Sequence, residues 1–304
     1  MGQVRPGFRR RAAPNAVKPP SRALVVAHRG ASSSAAEHTL DAYVSAVGSG
    51  ADGLECDVRL TRDGHLICVH DRTVNRTSDG MGVVSEFDLD GLRRLNFSSW
   101  RGELPGTADE LVSETPYFAG VAPDRADDGD ILTLARLLEF VADAARSVRL
   151  FIETKHPTRY GGLVEKELVE LLARFGWAGR SGPPDSVRQP ADLDSRVLVM
   201  SFAPTAIRRV RLLAPDIPTV LLLEWPMPVR QERLLPQGVP IAGPGLHLLR
   251  SDPGLVARAH ARGYRVFVWT VNELADVDFV ASLGVDTIIT DRPSEVIARL
   301  DGAR

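Results

Sequence analysis

The stretch GLECDVRLTRDGHLICVHD, residues 53–71, predicts a β-hairpin around which the rest of the chain is organised. Two strand-like runs, 53–60 and 65–70, are joined by four residues that include Asp63-Gly64, which is a hairpin signal. This connection is too short for the helical crossover that two parallel strands would need. We therefore expect an antiparallel pair in which Leu60 faces His65.

This register places Asp57 opposite Cys68 and Glu55 opposite His70. Because side chains alternate along a strand, Glu55, Asp57 and His70 would share one face. Two carboxylates and an imidazole are costly to bury unless they do work such as holding a metal ion. An ordinary hairpin with that face in water fits the same pattern, so the hairpin alone leaves both interpretations open.

Composition and charge narrow the class of protein. The chain has 304 residues, 44% hydrophobic and 25% charged, which is ordinary for a soluble globular protein. Its net charge of −2 gives no electrostatic basis for binding nucleic acid. No apolar run approaches the length that crosses a membrane, so we expect no stable membrane insertion. Cys56 and Cys68 point to opposite faces in the register above, which predicts free thiols and a reducing, cytoplasmic compartment.

The domain organisation follows from where regular patterning begins. Residues 1–22 hold several basic residues and prolines but no acidic residue and no apolar stretch, which predicts a disordered basic tail. Residues 23–304 are expected to form one domain. Within it, residues 72–130 are rich in Gly, Asp, Ser and Pro, which predicts an insertion near a functional site.

Strands alternate with helices along most of the chain, a pattern typical of a parallel sheet covered by helices. Nine strands are predicted, and eight remain if the second hairpin strand is an extra antiparallel piece. Eight βα units in this length fit a TIM (β/α)8 barrel. An open doubly wound sheet is the alternative, but no Gly-rich phosphate-binding turn follows the first strand. Among the predicted helices are 131–145 and 229–235.

Polar residues gather where the predicted strands end. In a TIM barrel these ends lie together on the face that carries the active site. The residues in question are His28, Arg29, Glu55, Asp57, Glu153, Lys155, Ser201, Trp269 and Asp291. Local patterning alone does not explain so many polar groups at these positions, so we expect a functional site on this face.

The residue types at these ends suggest a metal and a phosphate. Oxygen ligands from Glu55, Asp57 and Glu153 suit one hard divalent cation, Mg²⁺ or Ca²⁺, better than zinc. Arg29 and Lys155 beside such a cation favour a phosphate group. A simpler alternative is that the carboxylates and these two cations only form salt bridges with one another.

Two imidazoles complete the expected chemistry. His28 and His70 can divide general-base and general-acid roles near neutral pH. Together with the metal and the phosphate they predict metal-assisted phosphodiester cleavage. A lone histidine is more often structural, and we interpret His156, His247 and His260 in that way. Asp291 is expected to close the last barrel turn through an ion pair with the next residue.

The same residues carry a family resemblance that runs in order from about residue 25 to 293. The motifs are His28-Arg29-Gly30, Glu37 and Thr39, Glu55-Cys56-Asp57, His70-Asp71, Arg76-Thr77-Ser78-Asp79-Gly80, Glu153-Thr154-Lys155, Ser201-Phe202, Trp269-Thr270-Val271-Asn272, Gly284-Val285-Asp286 and Thr290-Asp291-Arg292-Pro293. With these motifs the chain resembles the glycerophosphodiester phosphodiesterases. The resemblance implies a TIM barrel that hydrolyses glycerophosphodiesters to an alcohol and sn-glycerol 3-phosphate.

The resemblance also implies roles for individual residues. Glu55, Asp57 and Glu153 would bind the metal, His28 and His70 would be the acid–base pair, and Arg29 and Lys155 would hold the phosphate. Phe202 and Trp269 would pack on the glycerol or the leaving group, although they also suit the barrel rim as core aromatics. The chain departs from the family pattern at His38, where the family often has Asn.

Two other functions fit the sequence. A phospholipase D-like enzyme would apply the same chemistry to lysophospholipids and should show an apolar lip, for which 225–228 is a candidate. A catalytically silent barrel would bind phosphodiesters without cleaving them, but the expected metal and acid–base residues are all present. The partner expected from the main hypothesis is a small-molecule glycerophosphodiester. The sequence leaves the oligomeric state open, with a homodimer among the alternatives.

Overall fold

The fold is built on eight parallel strands, and its coordinates are those of a computed structural model that describes residues 21–98, 130–178, 193, 195–225 and 235–302. The parallel strands are β1 (Leu24–Ala27), β2 (Gly53–Leu60), β4 (Arg149–Thr154), β5 (Val197–Ser201), β6 (Thr219–Leu223), β7 (Ile241–Pro244), β8 (Arg265–Val268) and β9 (Thr287–Thr290). The ninth strand, β3 (Leu66–Cys68), is antiparallel to β2.

The parallel strands close into a barrel because β1 pairs with β2 on one side and with β9 on the other. The remaining neighbours follow in order from β2 through β4 to β9. Closure confirms the predicted TIM (β/α)8 barrel and excludes the open doubly wound sheet. As predicted, the second hairpin strand is the extra antiparallel piece.

Helices lie between the strands and bury their apolar faces. They are α1 (Leu40–Gly48), α2 (Leu89–Leu92), α3 (Leu134–Asp143), α4 (Leu163–Arg174), α5 (Pro204–Leu213), α6 (Leu246–Ser251), α7 (Leu255–His260), α8 (Leu274–Leu283) and α9 (Pro293–Gly302). Within the described residues, no helix combines the length and apolar character needed to cross a membrane.

The first residue of α1 agrees with the N-cap predicted from the sequence, whereas α3 begins three residues later than predicted. Thr39 caps α1 as predicted, since its Oγ1 accepts a hydrogen bond from the Ala42 N–H at 3.3 Å. The helix predicted over 131–145 begins only at Leu134, after the N-cap Thr133. Thr133 is extended and bridges Ile67 of β3, and the Leu132 carbonyl accepts the Cys68 N–H at 2.8 Å. Pairing with the hairpin therefore takes precedence over the helical pattern there.

The expected hairpin register is wrong by one residue. Leu60 pairs with Leu66 rather than with His65, so the loop contains five residues, 61–65. Thr61 causes the difference, because its N–H donates to the His65 carbonyl at 2.9 Å and its Oγ1 accepts the His65 N–H at 2.8 Å. Asp57 and Glu55 are consequently not opposite Cys68 and His70.

The corrected register also changes the position of the cysteines. Cys56 and Cys68 lie on the same side of the hairpin, buried in one apolar cluster, instead of on opposite faces. Both are free thiols, as expected, but the geometric reason given for this from the sequence is wrong. The opposite side of β3 carries Ile67, which packs with Val74 and Leu92 of the following segment.

The predicted insertion, 72–130, is described in its first part. It holds a short 3-10 helix (Val84–Glu86) and α2, and a bridge between Thr73 and Val83 closes it into a compact loop. Residues 99–129 lie outside the described residues, as do residues 1–20 of the predicted basic tail and all but the last residue of the predicted helix over 229–235.

Candidate active site

Three carboxylates meet inside the barrel where β2 and β4 run side by side. Asp57 and Glu153 are paired in register across the two strands, and Glu55 lies two residues before Asp57 on the same face. All three are buried, and one oxygen from each lies within 4.8 Å of the other two. The structure therefore brings together the three predicted metal ligands, close enough to contact a single ion.

The electrostatics of this cluster fit a bound cation. Burial and the neighbouring carboxylates raise the pKa of Glu55 well above its ordinary value. Burial likewise raises the pKa of Glu153 to about 7, against the opposing effect of Lys155. Burial opposes ionisation of Asp57 too, but Lys155 and Arg29 lower its pKa well below the ordinary value. Uncompensated negative charge in the cluster is what a divalent cation would neutralise.

An unsatisfied oxygen supports the same conclusion. Asp57 Oδ1 is buried and lies 3.3 Å from Lys155 Nζ, but it accepts no hydrogen bond among the described residues. Buried polar atoms are rarely left in this state unless a water or an ion serves them. All the donors are carboxylate oxygens, a set suited to hard cations. Glu55, Asp57 and Glu153 can therefore hold a metal ion.

Arg29 and Lys155 lie beside the carboxylates. Arg29 Nε is 3.1 Å from Asp57 Oδ2, and its backbone N–H donates to Glu55 Oε2 at 3.0 Å. Lys155 Nζ is 3.0 Å from Glu153 Oε1. The salt bridges considered as an alternative thus exist, and both cations also line the cavity described below. Ion pairing and phosphate binding are compatible roles for them.

The backbone at Arg29 is held in an unusual conformation. Arg29 has φ +57°, in the left-handed region that few non-glycine residues adopt. Gly30 follows with φ +87°, and a Cβ there would lie 2.6 Å from the Cβ of Ala42 on α1. Glycine is therefore required for the strand end to pack on α1, and this packing directs Arg29 to the carboxylates.

His28 is oriented by the other end of the chain. Its Nδ1–H donates to Asp291 Oδ1 at 2.7 Å. Asp291 also accepts hydrogen bonds from Asn272 Nδ2 at 2.6 Å and from Ser32 Oγ at 2.9 Å. The expected ion pair between Asp291 and its neighbour is wrong: Asp291 instead accepts hydrogen bonds from these three donors, and Arg292 lies 3.9 Å from Glu295.

His70 is oriented in the same way by a different network. Its Nδ1–H donates to Asp71 Oδ1 at 2.7 Å. Asp71 accepts from Arg76 Nε at 2.7 Å, and Arg76 in turn donates two hydrogen bonds to Glu37, at 2.9 and 2.7 Å. Glu37 also accepts from Arg29 Nη1 at 3.1 Å. A continuous chain of charge-assisted hydrogen bonds thus links His70 to Arg29.

His38 forms a hydrogen bond to the carboxylate cluster from a buried position that does not line the cavity. It is buried, and its Nε2 lies 2.9 Å from Asp57 Oδ2 while its Nδ1 lies 2.8 Å from the hydroxyl of Tyr43. Because Asp57 is ionised, Nε2 carries the proton that it donates. The substitution of the family's Asn therefore keeps a hydrogen-bond donor at this position, and burial lowers the pKa of His38.

A cavity of about 990 Å³ opens over this cluster at the carboxyl ends of the strands. His28, His70 and Glu55 line it together with the two aromatic residues predicted to contact substrate, Phe202 and Trp269. The aromatic rings form an edge-to-face pair with centroids 5.2 Å apart. Phe202 is 38% exposed, so it belongs to the cavity wall rather than to the core.

Several orienting residues were not assigned these roles from the sequence. They are Ser32, Tyr43, Asp71, Arg76, Asn272 and Asp291, none of which was given the contacts found here. Four of them, Asp71, Arg76, Asn272 and Asp291, lay within the recognised motifs, and Asp291 was also noted at a strand end. Ser201, also expected at the site, is buried and donates to the Thr154 carbonyl at 2.8 Å, so it joins β5 to β4.

Comparison with known proteins identifies the family to which this chain belongs. The sequence model of the Glycerophosphoryl diester phosphodiesterase family matches residues 28–295. The chain belongs to this family. It is 44% identical over 283 residues to the probable glycerophosphodiester phosphodiesterase 1 of Mycobacterium tuberculosis, with 92% of this chain and 93% of that protein covered. The predicted family and the predicted class of enzyme, a phosphoric diester hydrolase, are confirmed.

A more distant sequence relative and a solved structure are also similar to this chain over most of its length. The chain is 31% identical to the glycerophosphodiester phosphodiesterase of Caldanaerobacter subterraneus, with 90% of this chain and 96% of that protein covered. Among solved structures, an Oleispira antarctica phosphodiesterase in complex with the product sn-glycerol-3-phosphate superposes with a TM-score of 0.72 at 24% identity. That alignment covers 92% of this chain and 97% of the other, which supports the barrel fold.

Proposed function

We propose that this enzyme hydrolyses glycerophosphodiesters to an alcohol and sn-glycerol 3-phosphate, with His28 and His70 as the acid–base pair. The observation that carries the proposal is that two imidazoles, each held by an aspartate through Nδ1, line the same cavity as three clustered carboxylates. An orienting carboxylate fixes the tautomer and the orientation of each ring, so that Nε2 can exchange protons with substrate, as general acid–base catalysis requires.

The two histidines would transfer protons to and from the substrate. Asp291 and Asp71 take the Nδ1 hydrogens, so proton exchange with substrate falls to Nε2 of each ring. One imidazole accepts the proton of the attacking oxygen as it adds to phosphorus. The other donates a proton to the oxygen of the departing alcohol as the P–O bond breaks, so that no charged alkoxide is released.

Glu55, Asp57 and Glu153 would hold one divalent cation, and their all-oxygen donor set suits Mg²⁺ or Ca²⁺. When bound, such a cation would polarise the phosphate and offset its negative charge. Arg29 and Lys155 lie next to these carboxylates and would add hydrogen-bond donors for the phosphate oxygens.

The reaction is tested by identifying products. Glycerophosphocholine is incubated with the enzyme and Mg²⁺ or Ca²⁺, and the products are followed by phosphorus NMR. We expect the signal of sn-glycerol 3-phosphate to replace that of the diester. Appearance of phosphocholine would place the cleaved bond on the wrong side of phosphorus and refute the proposed products. No turnover of any diester in a headgroup panel would favour the silent barrel.

A lysophospholipid belongs in the same panel. Trp225 is 79% exposed and directly follows Glu224, which lines the cavity. An exposed aromatic at this position suits contact with an acyl chain. Faster turnover of lysophosphatidylcholine than of glycerophosphocholine, lost in Trp225→Ala, would establish the phospholipase D-like alternative.

A further inference from the structure

A second cavity, of about 490 Å³, adjoins the catalytic one. Arg59, Arg72 and Pro157 line both cavities, so the two meet at these residues. Beyond this junction the wall carries Arg159 and Tyr160 from the β4–α4 connection. We call this second cavity the arginine cleft. Its lining includes Arg59 and Leu60 of β2 and the segment from Pro157 to Tyr160 that follows β4, whereas Phe202 and Trp269 line the catalytic cavity alone.

The arginine cleft has an excess of positive charge. Arg72 and Arg159 are both exposed to solvent, and neither has an ion-pair partner among the residues that the structure describes. Glu86 supplies the negative charge among the described residues that line the cleft. Arg29 and Lys155 of the catalytic cavity, in contrast, are neutralised by adjacent carboxylates. Among the described cations of the cleft, those without an ion-pair partner are therefore Arg72, at the junction of the two cavities, and Arg159, beyond it.

The walls of the cleft are fixed by hydrogen bonds. Arg59 Nε donates to the His70 carbonyl at 2.9 Å, which places this side chain at the junction. The Tyr160 hydroxyl donates to the Ser85 carbonyl at 2.9 Å and so ties the β4–α4 connection to the insertion. The Arg72 carbonyl accepts the Val84 N–H at 3.0 Å. Arg72 thus projects from anchored backbone, and Arg159 directly precedes the anchored Tyr160.

We propose that the arginine cleft is a subsite for a second phosphate carried by the leaving alcohol. This proposal rests on the proposed function and names the class of substrate. A diester held over the carboxylate cluster has two arms, and its glycerol arm is small and uncharged. Only a leaving alcohol with its own anionic group would use two unpaired guanidinium groups next to the site, because guanidinium binds phosphate oxygens through paired hydrogen bonds.

Two matched substrates test the subsite. Glycerophosphoglycerol has a neutral leaving group, and bis(glycerophospho)glycerol adds one further glycerophosphate unit to it. We expect the wild-type enzyme to have the higher kcat/KM for the second compound, mainly through a lower KM. The ratio should fall about five- to tenfold in the double variant Arg72→Gln/Arg159→Gln, which removes two partly screened phosphate contacts. Because the ratio compares two substrates of the same enzyme, an effect of the Arg72 change on both substrates alike cancels.

The control removes the same charge elsewhere. Arg208 and Arg262 are exposed arginines on other parts of the barrel, and Arg208→Gln/Arg262→Gln should leave the substrate ratio at its wild-type value. A ratio near one in the wild type would overturn the proposal, as would an equal fall in both double variants. The second result would assign the preference to overall charge rather than to the cleft.

Binding without turnover separates this proposal from the proposed function. Dissociation constants of both compounds for the metal-loaded His28→Ala enzyme, measured by calorimetry, give the same ratio when no reaction occurs. Tighter binding of the anionic compound, lost in Arg72→Gln/Arg159→Gln, supports the subsite even if the proposed products are wrong. Equal binding of the two compounds refutes the subsite even if glycerophosphoglycerol is hydrolysed.

Discussion

His38 Nε2 donates a hydrogen bond to Asp57 Oδ2 over 2.9 Å, so a buried imidazole holds one of the three clustered carboxylates in place. The same ring contacts the Tyr43 hydroxyl, and His38 has φ +59°, a conformation that costs free energy in a non-glycine residue. A residue held in a strained conformation by a hydrogen bond to the carboxylate cluster is expected to position that cluster. His38 does not line the cavity with the groups expected to touch substrate.

Replacing His38 tests this positioning role. We expect His38→Ala to weaken binding of Mg²⁺ or Ca²⁺, or to reduce kcat/KM, by about 10- to 100-fold, the usual effect of losing a residue that supports a metal ligand. His38→Asn restores a donor and should recover most of the loss. Calorimetric titration of the metal and steady-state kinetics provide the measurements.

His260→Ala is the matched control for His38→Ala. His260 is another buried imidazole bonded to a carboxylate, Asp286, at 2.8 Å, but it lies at α7 and not at the carboxylate cluster. Its loss should lower stability and leave metal affinity unchanged. If His38→Ala behaves like His260→Ala, His38 is structural and does not position Asp57.

Metal removal tests the carboxylate cluster directly. A chelator should abolish turnover of glycerophosphocholine, and Mg²⁺ or Ca²⁺ should restore it. Glu153→Gln should weaken this restoration strongly, because the amide oxygen is a neutral and weaker ligand and the negative charge of the carboxylate is lost. Asp276→Asn, which alters a buried carboxylate paired with Arg250, should respond to metal as the wild type does. Full turnover in the presence of the chelator would contradict the assignment of the three carboxylates.

His70→Ala separates proton transfer from metal binding. We expect the rate to fall by about 10²- to 10⁴-fold, the usual contribution of a positioned acid or base, with little change in metal affinity. Asp71→Asn should cause a smaller loss, because the imidazole remains but its orientation and protonation are less well controlled. An unchanged rate in His70→Ala would remove this residue from the acid–base pair.

The pH dependence of stability tests the network around Glu37. Burial acts to raise the pKa of Glu37, but Arg29 and Arg76 outweigh it and lower the pKa from 4.5 to about 2. Between these values the unfolded chain binds a proton that the folded chain does not. The free energy of unfolding therefore falls as the pH drops through this window, by about 3 kcal/mol from this residue.

Glu37→Gln should lack this contribution. Urea denaturation at several pH values should show a shallower loss of stability below pH 4.5 in Glu37→Gln than in the wild type. Glu139→Gln removes an exposed carboxylate paired with Arg136 and should leave the wild-type slope unchanged. Parallel curves for wild type and Glu37→Gln would mean that the two arginines do not depress this pKa.

The fold was predictable from the sequence because its main signals are local. Alternating strands and helices indicated the barrel, and Thr39 marked the start of α1. The hairpin register was not predictable, since it depends on Thr61 bonding twice to His65 and lengthening the loop by one residue. A one-residue shift reverses which side chains share a face.

The site was predictable in its residue types but not in its contacts. Glu55, Asp57 and Glu153 come together because they lie at matching depths on neighbouring strands, which the strand pattern indicates. Asp291 could not be matched to His28 from local sequence, because 263 residues separate them and barrel closure alone makes them neighbours. Residues that orient others leave no periodic pattern, so recognised motifs were their main signal.

The pairing of His28 with Asp291 also makes the proposed chemistry depend on one junction of the barrel. His28 directly follows β1 and Asp291 directly follows β9, and these two strands pair where the barrel closes. Separation of β9 from β1 would therefore take the aspartate away from the imidazole that it orients. Local opening of this junction would abolish the proposed proton transfer even while the other strands stay paired.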